Sequence, residues 1–369
     1  MMIYTEYSGE IGSWDEFYIR PVHTITHPSR GTIGGGTLSS LTPPMEPQEQ
    51  PQASLHRTIG PRGQRFVAKL VRKPYLFRRI TTFTVEEWRD LAKRIAPEWN
   101  RRERERLTER TDRIRAIGQG RKYEIGPFPN LLLATLLYLR TTMGYALLGL
   151  LLDVDGETVR RAVSRVLPLL EDRFIPKTDL TKRKRRSNSI DDLLTDFPGL
   201  EEVIFDGTEV PVQRPKRRQR RAYSGKKKRH TVKAQIAIGR GKGRKRHLIV
   251  GVSPPAPGAI HDKPQLERTG WDRKLSPDVL RRGDLGYQGM PGWVLPHKKP
   301  RGGVLTTAQR RENKRISRKR IIVEHTIRTV KVFRRIGELV TIKANGRLSA
   351  ALLAAANLAN YKVLVRQGA

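Results

Sequence analysis

The chain has 369 residues, of which 73 are Lys or Arg and 36 are Asp or Glu, so its formal net charge is +37. Because like charges repel, this excess favours a polyanionic partner, either nucleic acid or an anionic membrane surface. The sequence has no cysteine, which excludes disulfide scaffolds, Cys-ligated zinc and thiol catalysis. With only eight His, a bound metal would have to be hard and held by oxygen.

The first 65 residues differ from the rest in composition. They hold 5 basic and 6 acidic residues together with 8 Gly and 7 Pro, so we expect a disordered tail over 1–65. The most apolar stretch, Leu131–Leu152, is interrupted by Arg140. Each half is shorter than the roughly 20 residues that a bilayer needs. We therefore predict a cytoplasmic protein without a membrane partner.

A helical region is predicted next, over 66–120. Thr84 and Glu87 have the spacing of a capping box, which predicts a helix start. Proline removes a backbone donor, so we expect this helix to end at Pro97. A solvated helix rich in Arg and Glu is predicted over 98–117.

Three short helices are predicted between residues 121 and 180, the third with Asp155 as its N-cap. In the third helix, apolar residues recur at helical spacing, while Arg160, Arg161 and Arg165 share the opposite face. This arrangement is typical of a helix-turn-helix that lays its last helix in a DNA groove. An ordinary small bundle with arginines on its solvated face remains the alternative.

Beyond a basic linker, the pattern changes to short β-rich runs at 202–206, 231–239 and 247–253. A helix at 263–270, a strand at 279–284, a long helix at 310–336 and an Ala/Leu helix at 348–359 follow. The fold class predicted here is α/β. The tail, the helical region, the helix-turn-helix domain, the linker and the α/β domain are predicted at residues 1–65, 66–120, 121–180, 181–199 and 200–369.

Three acidic residues stand in basic surroundings. Asp206 is predicted to end one strand, Asp284 to end another, and Glu324 to lie in the long helix. Carboxylate oxygens are the ligands that Mg²⁺ prefers, so the three could converge on such ions. Simpler interpretations exist for each: Asp-Gly also signals a hairpin, Gly-Asp-Leu-Gly an ordinary turn, and Glu324 could pair with Arg320 and Arg328 on a solvated helix.

Taken in order, the motifs around these acids resemble the catalytic domain of DDE transposases from bacterial insertion sequences, most closely the IS-five type. Arg320, Glu324 and Lys331 reproduce the family's Arg-x3-Glu-x6-Lys, although Ser317 stands where related groups often have Tyr. The other motifs are Asp206-Gly207-Thr208-Glu209, Tyr223–Lys228 followed by His230–Lys233, Gly258–Asp262, and Asp284–Gly289.

The resemblance implies an RNase H-like fold in which Asp206, Asp284 and Glu324 are catalytic and ligate two divalent ions, Mg²⁺ or Mn²⁺. Such a site hydrolyses DNA at the element's ends and transfers the freed strand into target DNA. His261 and Asp262 match a His-Asp pair of the family and are expected to be supporting residues. The residues expected to bind DNA are Arg160, Arg161, Arg165, Lys226, Lys227, Lys228, Arg320, Arg328 and Lys331.

The expected partner is double-stranded DNA, both the terminal inverted repeats and the target. We expect a homo-oligomer, at least a dimer on DNA, associated with the bacterial nucleoid. Two alternatives remain open: a catalytically inactive or domesticated DNA-binding protein, and an RNase H-like DNA endonuclease without strand transfer.

Overall fold

A computed structural model describes residues 62–109, 123–171, 199–241, 246–337 and 345–366, without the side chains at 62, 274, 345 and 346. The predicted tail over 1–65 and the predicted linker over 181–199 fall almost entirely outside these ranges. The first described helix, α1 (Arg62–Val71), begins just before the predicted boundary at residue 66.

The N-terminal region continues with α2 (Pro74–Thr81) and α3 (Val85–Thr108). The capping box at the start of α3 is confirmed. The Thr84 hydroxyl accepts a hydrogen bond from the Glu87 backbone N–H at 3.1 Å, and the Glu87 carboxylate accepts one from the Thr84 N–H at 2.8 Å. The pair satisfies two of the backbone donors that a helix start leaves open.

The predicted helix end at Pro97 is wrong, because α3 continues through the proline to Thr108. Proline costs one backbone hydrogen bond, but the turn beyond it is well held. Trp99 is buried and stacks on Phe128 with ring centroids 5.0 Å apart. Glu98 pairs with Arg101 at 2.7 Å. These contacts outweigh the local preference for a break.

The three predicted short helices are confirmed as α4 (Phe128–Arg140), α5 (Tyr145–Leu152) and α6 (Gly156–Glu171). Asp155 acts as the predicted cap of α6, since its carboxylate accepts a hydrogen bond from the Glu157 N–H at 2.7 Å. The apolar face of α6 is buried, Val159 and Val166 completely. The predicted orientation of this helix is therefore correct.

In the part of the chain that the structure describes, seven strands form one sheet. The centre is β1, which pairs antiparallel with β3 on one side and parallel with β6 on the other. Strand β7 pairs parallel with β6, and β2, β4 and β5 pair antiparallel with β3. The strands are β1 (Leu200–Pro211), β2 (Tyr223–Ser224), β3 (Arg229–Gly241), β4 (Leu248–Val252), β5 (Ala256–Pro257), β6 (Leu280–Arg282) and β7 (Trp293–Val294).

Both faces of the central strand are covered, because Val203, Ile204 and Phe205 are consecutive and fully buried. The predicted class is confirmed: a mixed sheet flanked by helices, consistent with an RNase H-like fold and preceded by the three-helix segment. The flanking helices are α7 (Gln219–Ala222), α8 (Asp262–Thr269), α9 (Trp271–Lys274), α10 (Thr307–Lys331), α11 (Arg334–Gly337) and α12 (Asn345–Val365).

The long helix predicted over 310–336 is divided in the structure. Helix α10 ends at Lys331, and Arg335 lies in the separate α11, where it is buried. Its guanidinium lies 4.2 Å from the ring centroid of Tyr138, and its Nε donates to the Tyr138 carbonyl at 3.2 Å. Arg335 therefore joins the end of α4 and is not part of α10.

Among the described residues, α12 is the helix that is long and apolar enough to cross a membrane. Most of that stretch is buried inside the fold, including two amide side chains. Asn357 donates to the Leu170 carbonyl at the end of α6 at 2.8 Å. Asn360 accepts from the Ile249 N–H at 2.8 Å and donates to the Ile249 carbonyl at 2.7 Å, on strand β4. These contacts make α12 a core helix that joins α6 to the sheet.

Replacing Asn360 with Leu should test this role. The substitution leaves the buried N–H and C=O of Ile249 without partners, so we expect the free energy of unfolding to fall by about 2–4 kcal/mol in chemical denaturation. The exposed Asn100, on α3, provides the control, and Asn100→Leu should change stability by less than about 0.5 kcal/mol. Equal effects of the two substitutions would contradict the assignment.

Candidate active site

Asp206 lies within β1 and does not end it, so this part of the sequence prediction is wrong. The strand continues to Pro211 because β3 is long enough to pair with it throughout: Asp206 faces Ile236, and Pro211 faces Thr231. The Asp-Gly hairpin alternative is excluded by the same pairing. On the other side, β6 pairs with β1 only as far as Ile204. Among the described residues, the edge of β1 beside Asp206 therefore has no strand partner, and we call this place at the carboxyl end of β6 the notch.

Asp284 lies at this notch, two residues beyond the end of β6, as the sequence predicted for a strand-end residue. Its Oδ1 accepts a hydrogen bond from the Gly286 N–H at 2.8 Å at the start of a 3₁₀ turn, Leu285–Tyr287. Asp206 Oδ1 accepts one from the Gly207 N–H, also at 2.8 Å. One backbone bond thus orients each carboxylate.

The two carboxylates lie close enough to influence each other. Burial raises the pKa of Asp206 to about 6, the nearby guanidinium of Arg320 opposes this shift, and the negative charges of Asp284 and then Asp262 add to it. The pKa of Tyr287 is also raised, first by burial and then by the same three carboxylates. The three acids therefore all lie within electrostatic range of one buried phenol, although Asp206 and Asp284 are 78 residues apart in the sequence.

Asp262, which the sequence indicated only as a supporting residue, belongs to this cluster. It is the first residue of α8, and its Oδ1 accepts from Lys233 Nζ at 3.3 Å. A Cβ at Gly207 would lie 2.4 Å from the same oxygen. The signal in the sequence was the Gly258–Asp262 motif. His261 is exposed, and its side chain makes no capping hydrogen bond to α8.

Glu324 is exposed on α10 and lies on the same helical stripe as Arg320 and Lys331. Both cations act on Asp206 electrostatically, so the stripe faces the notch. Lys331 Nζ donates to the Glu209 carbonyl on β1 at 3.3 Å. Among the described residues, Glu324 forms no ion pair with Arg320 or Arg328, so the alternative of a salt-bridged surface glutamate is not observed.

The donor chemistry at the notch fits a hard divalent cation. Burial of Asp206 beside other carboxylates is unfavourable unless positive charge compensates it. Arg320 supplies part of that charge, and its Nε is buried without a hydrogen-bond partner among the described residues. In the same ranges, no three Asp, Glu or His side chains are placed to hold one ion together. Asp206 and Asp284 are thus the two side chains that fit such a cation, and Glu324 would have to move closer to them to bind it.

The cations predicted to bind DNA have different environments. On α6, Arg160 and Arg161 pair with Glu157 at 2.5 and 3.1 Å, and Arg165 donates to the Tyr123 hydroxyl at 2.9 Å. Lys226, Lys227 and Lys228 are exposed in the turn before β3, and Arg328 is exposed on α10. Burial and the charge of Lys227 lower the pKa of Lys331, which shows that these two ammonium groups lie near each other.

Comparison with known families agrees with this geometry. Residues 205–360, which contain all three predicted catalytic acids, match the family model of the DDE superfamily endonuclease. Residues 127–176 match the helix-turn-helix of DDE superfamily endonuclease. The chain therefore contains a DDE superfamily endonuclease domain, preceded by the helix-turn-helix of that superfamily. DDE endonucleases use divalent metal ions, and the small-bundle alternative for α4–α6 gives way to a helix-turn-helix. The IS-five subgroup stays a prediction.

A relative from Microchaete diplosiphon, the probable transposase for insertion sequence element IS702, is 36% identical over 135 residues. The match covers 36% of this chain and 46% of the relative, so the chain spans less than half of that protein's length. No solved structure matches the chain significantly.

The electrostatic cost at Asp206 can be measured as stability. Its pKa in the folded protein, about 6, lies above the ordinary value of 3.8, so ionisation destabilises the metal-free fold as pH rises between the two values. Asp206→Asn should raise the free energy of unfolding at pH 8 by up to about 3 kcal/mol, with the gain disappearing by about pH 4. Denaturant titrations in a chelator, with the exposed Asp278→Asn as control, would show this. A gain of the same size at both pH values would contradict it.

Proposed function

We propose that this protein is an insertion-sequence transposase that cleaves DNA at the ends of its element and joins the freed 3′ ends to target DNA. The observation that carries the proposal is the meeting of Asp206 and Asp284 at an open notch inside a DDE endonuclease domain. The charge of +37 and the preceding helix-turn-helix support DNA as the substrate. The relative from Microchaete diplosiphon is a probable transposase, which agrees with this proposal.

Asp206 and Asp284 would hold divalent metal, with Glu324 contributed from α10; we propose two ions, Mg²⁺ or Mn²⁺. When bound, such ions lower the pKa of a water and stabilise the attacking and leaving oxygens of an in-line displacement. The backbone bonds from Gly207 and Gly286 fix the two aspartates for this task. Water attack breaks the P–O3′ bond and leaves a 3′-hydroxyl and a 5′-phosphate. The 3′-hydroxyl then attacks a target phosphodiester, forming a new P–O bond and releasing the target's own 3′-hydroxyl.

The cations around the notch have a separate task. The charge of Lys227 disfavours the charged form of Lys331, and a phosphate between the two side chains would relieve that repulsion. Lys226, Lys228 and Arg328 extend this surface, and such contacts position DNA without selecting its sequence. We assign selection of the terminal repeats to α6. A dimer or larger assembly on DNA and association with the nucleoid are parts of the same proposal.

The catalytic assignment predicts that Asp206→Asn, Asp284→Asn and Glu324→Gln each reduce cleavage of element ends by at least about a hundredfold. DNA binding should change less than about threefold, because phosphate contacts come from the cations. Cleavage and gel-shift assays with Mg²⁺ measure the two properties, with Asp278→Asn as the control. Cleavage by Asp284→Asn at the normal rate would refute the site. Cleavage by the native protein without joined products would identify a plain endonuclease.

The helix-turn-helix assignment predicts opposite effects from neighbouring residues on α6. Arg160→Ala with Arg165→Ala should weaken binding to terminal repeats more than to random duplex, because base-edge contacts are lost. Glu157→Gln should tighten binding about threefold or more, since it removes the carboxylate paired with Arg160 and Arg161. Arg101→Ala on α3 is the control, as Arg101 is an exposed, ion-paired arginine outside α6. Equal losses of affinity for both duplexes would show that α6 binds DNA only as a general basic surface.

A further inference from the structure

Asp262 approaches the notch more closely than the sequence motif alone indicates. A Cβ at Gly286 would lie 2.6 Å from Asp262 Oδ2 and 2.9 Å from Asp284 Oδ1, so the two carboxylates flank one point. The other oxygen, Oδ1, lies beneath Gly207, the residue after Asp206. Both glycines therefore leave room for the Asp262 carboxylate, and any side chain at either position would displace it.

The backbone at Asp262 is held firmly in this position. Gln235 Nε2 donates to the Asp262 carbonyl at 2.7 Å and to the Tyr287 hydroxyl at 3.1 Å. One buried amide thus ties the start of α8 to the turn that carries Asp284. The side chain is held more weakly, because its partner is Lys233 at 3.3 Å, a long hydrogen bond.

If Asp262 served only to pair with Lys233, it would not need to lie beside two other carboxylates. That position brings a third carboxylate against Gly207, which follows Asp206, and against Gly286, which Asp284 also flanks. A carboxylate placed there is unfavourable in the metal-free protein and favourable as soon as a cation is present. Glu324, by contrast, is exposed and contacts none of these acids among the described residues.

We propose that Asp262 is a metal-ligating carboxylate of the active site, which exchanges its bond to Lys233 for the ion held by Asp206 and Asp284. The proposal rests on the proposed function, since it assumes that a divalent ion binds at the notch. It makes Lys233 the residue that neutralises Asp262 while the site is empty. It also explains how an ion is held before Glu324 contributes from α10.

Two substitutions distinguish a metal-ligating role of Asp262 from a purely structural ion pair with Lys233. Asp262→Asn and Lys233→Met break the same Lys–Asp contact, but only the first removes a charged oxygen ligand. Mn²⁺ affinity of the full chain without DNA, measured by electron paramagnetic resonance or calorimetry, should fall at least tenfold in Asp262→Asn. In Lys233→Met it should be unchanged or tighter, and Mn²⁺ should raise the Tm of that variant more than it raises the native Tm.

Two further variants complete the set. Asp206→Asn should lose the ion, and Asp278→Asn is the control that should bind it normally. Mn²⁺ binding by Asp262→Asn within twofold of the native protein would overturn the inference, and so would equal weakening in Asp262→Asn and Lys233→Met. If Asp206→Asn also binds Mn²⁺ normally, the metal site of the proposed function fails as well. If it does not, only the role of Asp262 is lost. Thermal unfolding of each variant without metal shows that it is folded.

Discussion

Repulsion among partly buried carboxylates is the constraint on which the arrangement at the notch depends. Asp206, Asp284 and Asp262 come from a central strand, a turn and a helix start, and in the metal-free protein the charges of Asp284 and Asp262 disfavour ionisation of Asp206. The chain tolerates this arrangement because Arg320 and Lys233 supply local positive charge and because the backbone orients two of the acids. A cation that binds at the notch would relieve this repulsion and stabilise the folded state. Metal binding is therefore coupled directly to folding.

The scaffold connects this notch to the helix-turn-helix through packed elements. Helix α12 contacts the end of α6 through Asn357 and the edge strand β4 through Asn360. Just beyond α10, Arg335 of α11 donates a hydrogen bond to the Tyr138 carbonyl at the end of α4. Both the helix assigned to sequence recognition and the helix that carries Glu324 are therefore fixed to the same core. A DNA end held by α6 would consequently lie at a defined position relative to the notch.

The sequence predicted the elements more accurately than their ends and contacts. The helices of the helix-turn-helix, the main strands and the position of Asp284 follow from periodicity and capping, which are local. Pro97 and Asp206 were predicted to end their elements because local preference disfavours continuation, yet distant partners, Phe128 and Ile236, stabilise it. The placement of Asp262 beside Asp284 depends on two glycines far apart in the chain. No local pattern contains that information.

The charge distribution also sets the order of events in the proposed reaction. A strongly basic surface attracts DNA over a distance of about one Debye length, roughly 10 Å at 0.1 M salt. Close to the notch the sign changes, because a phosphodiester would meet the carboxylates of Asp206, Asp284 and Asp262. Bound cations must reverse that local field before the scissile phosphate can approach within reacting distance. In the proposed reaction, metal binding would therefore precede productive placement of the DNA end, and the lysines near Lys331 would hold the flanking phosphates while it occurs.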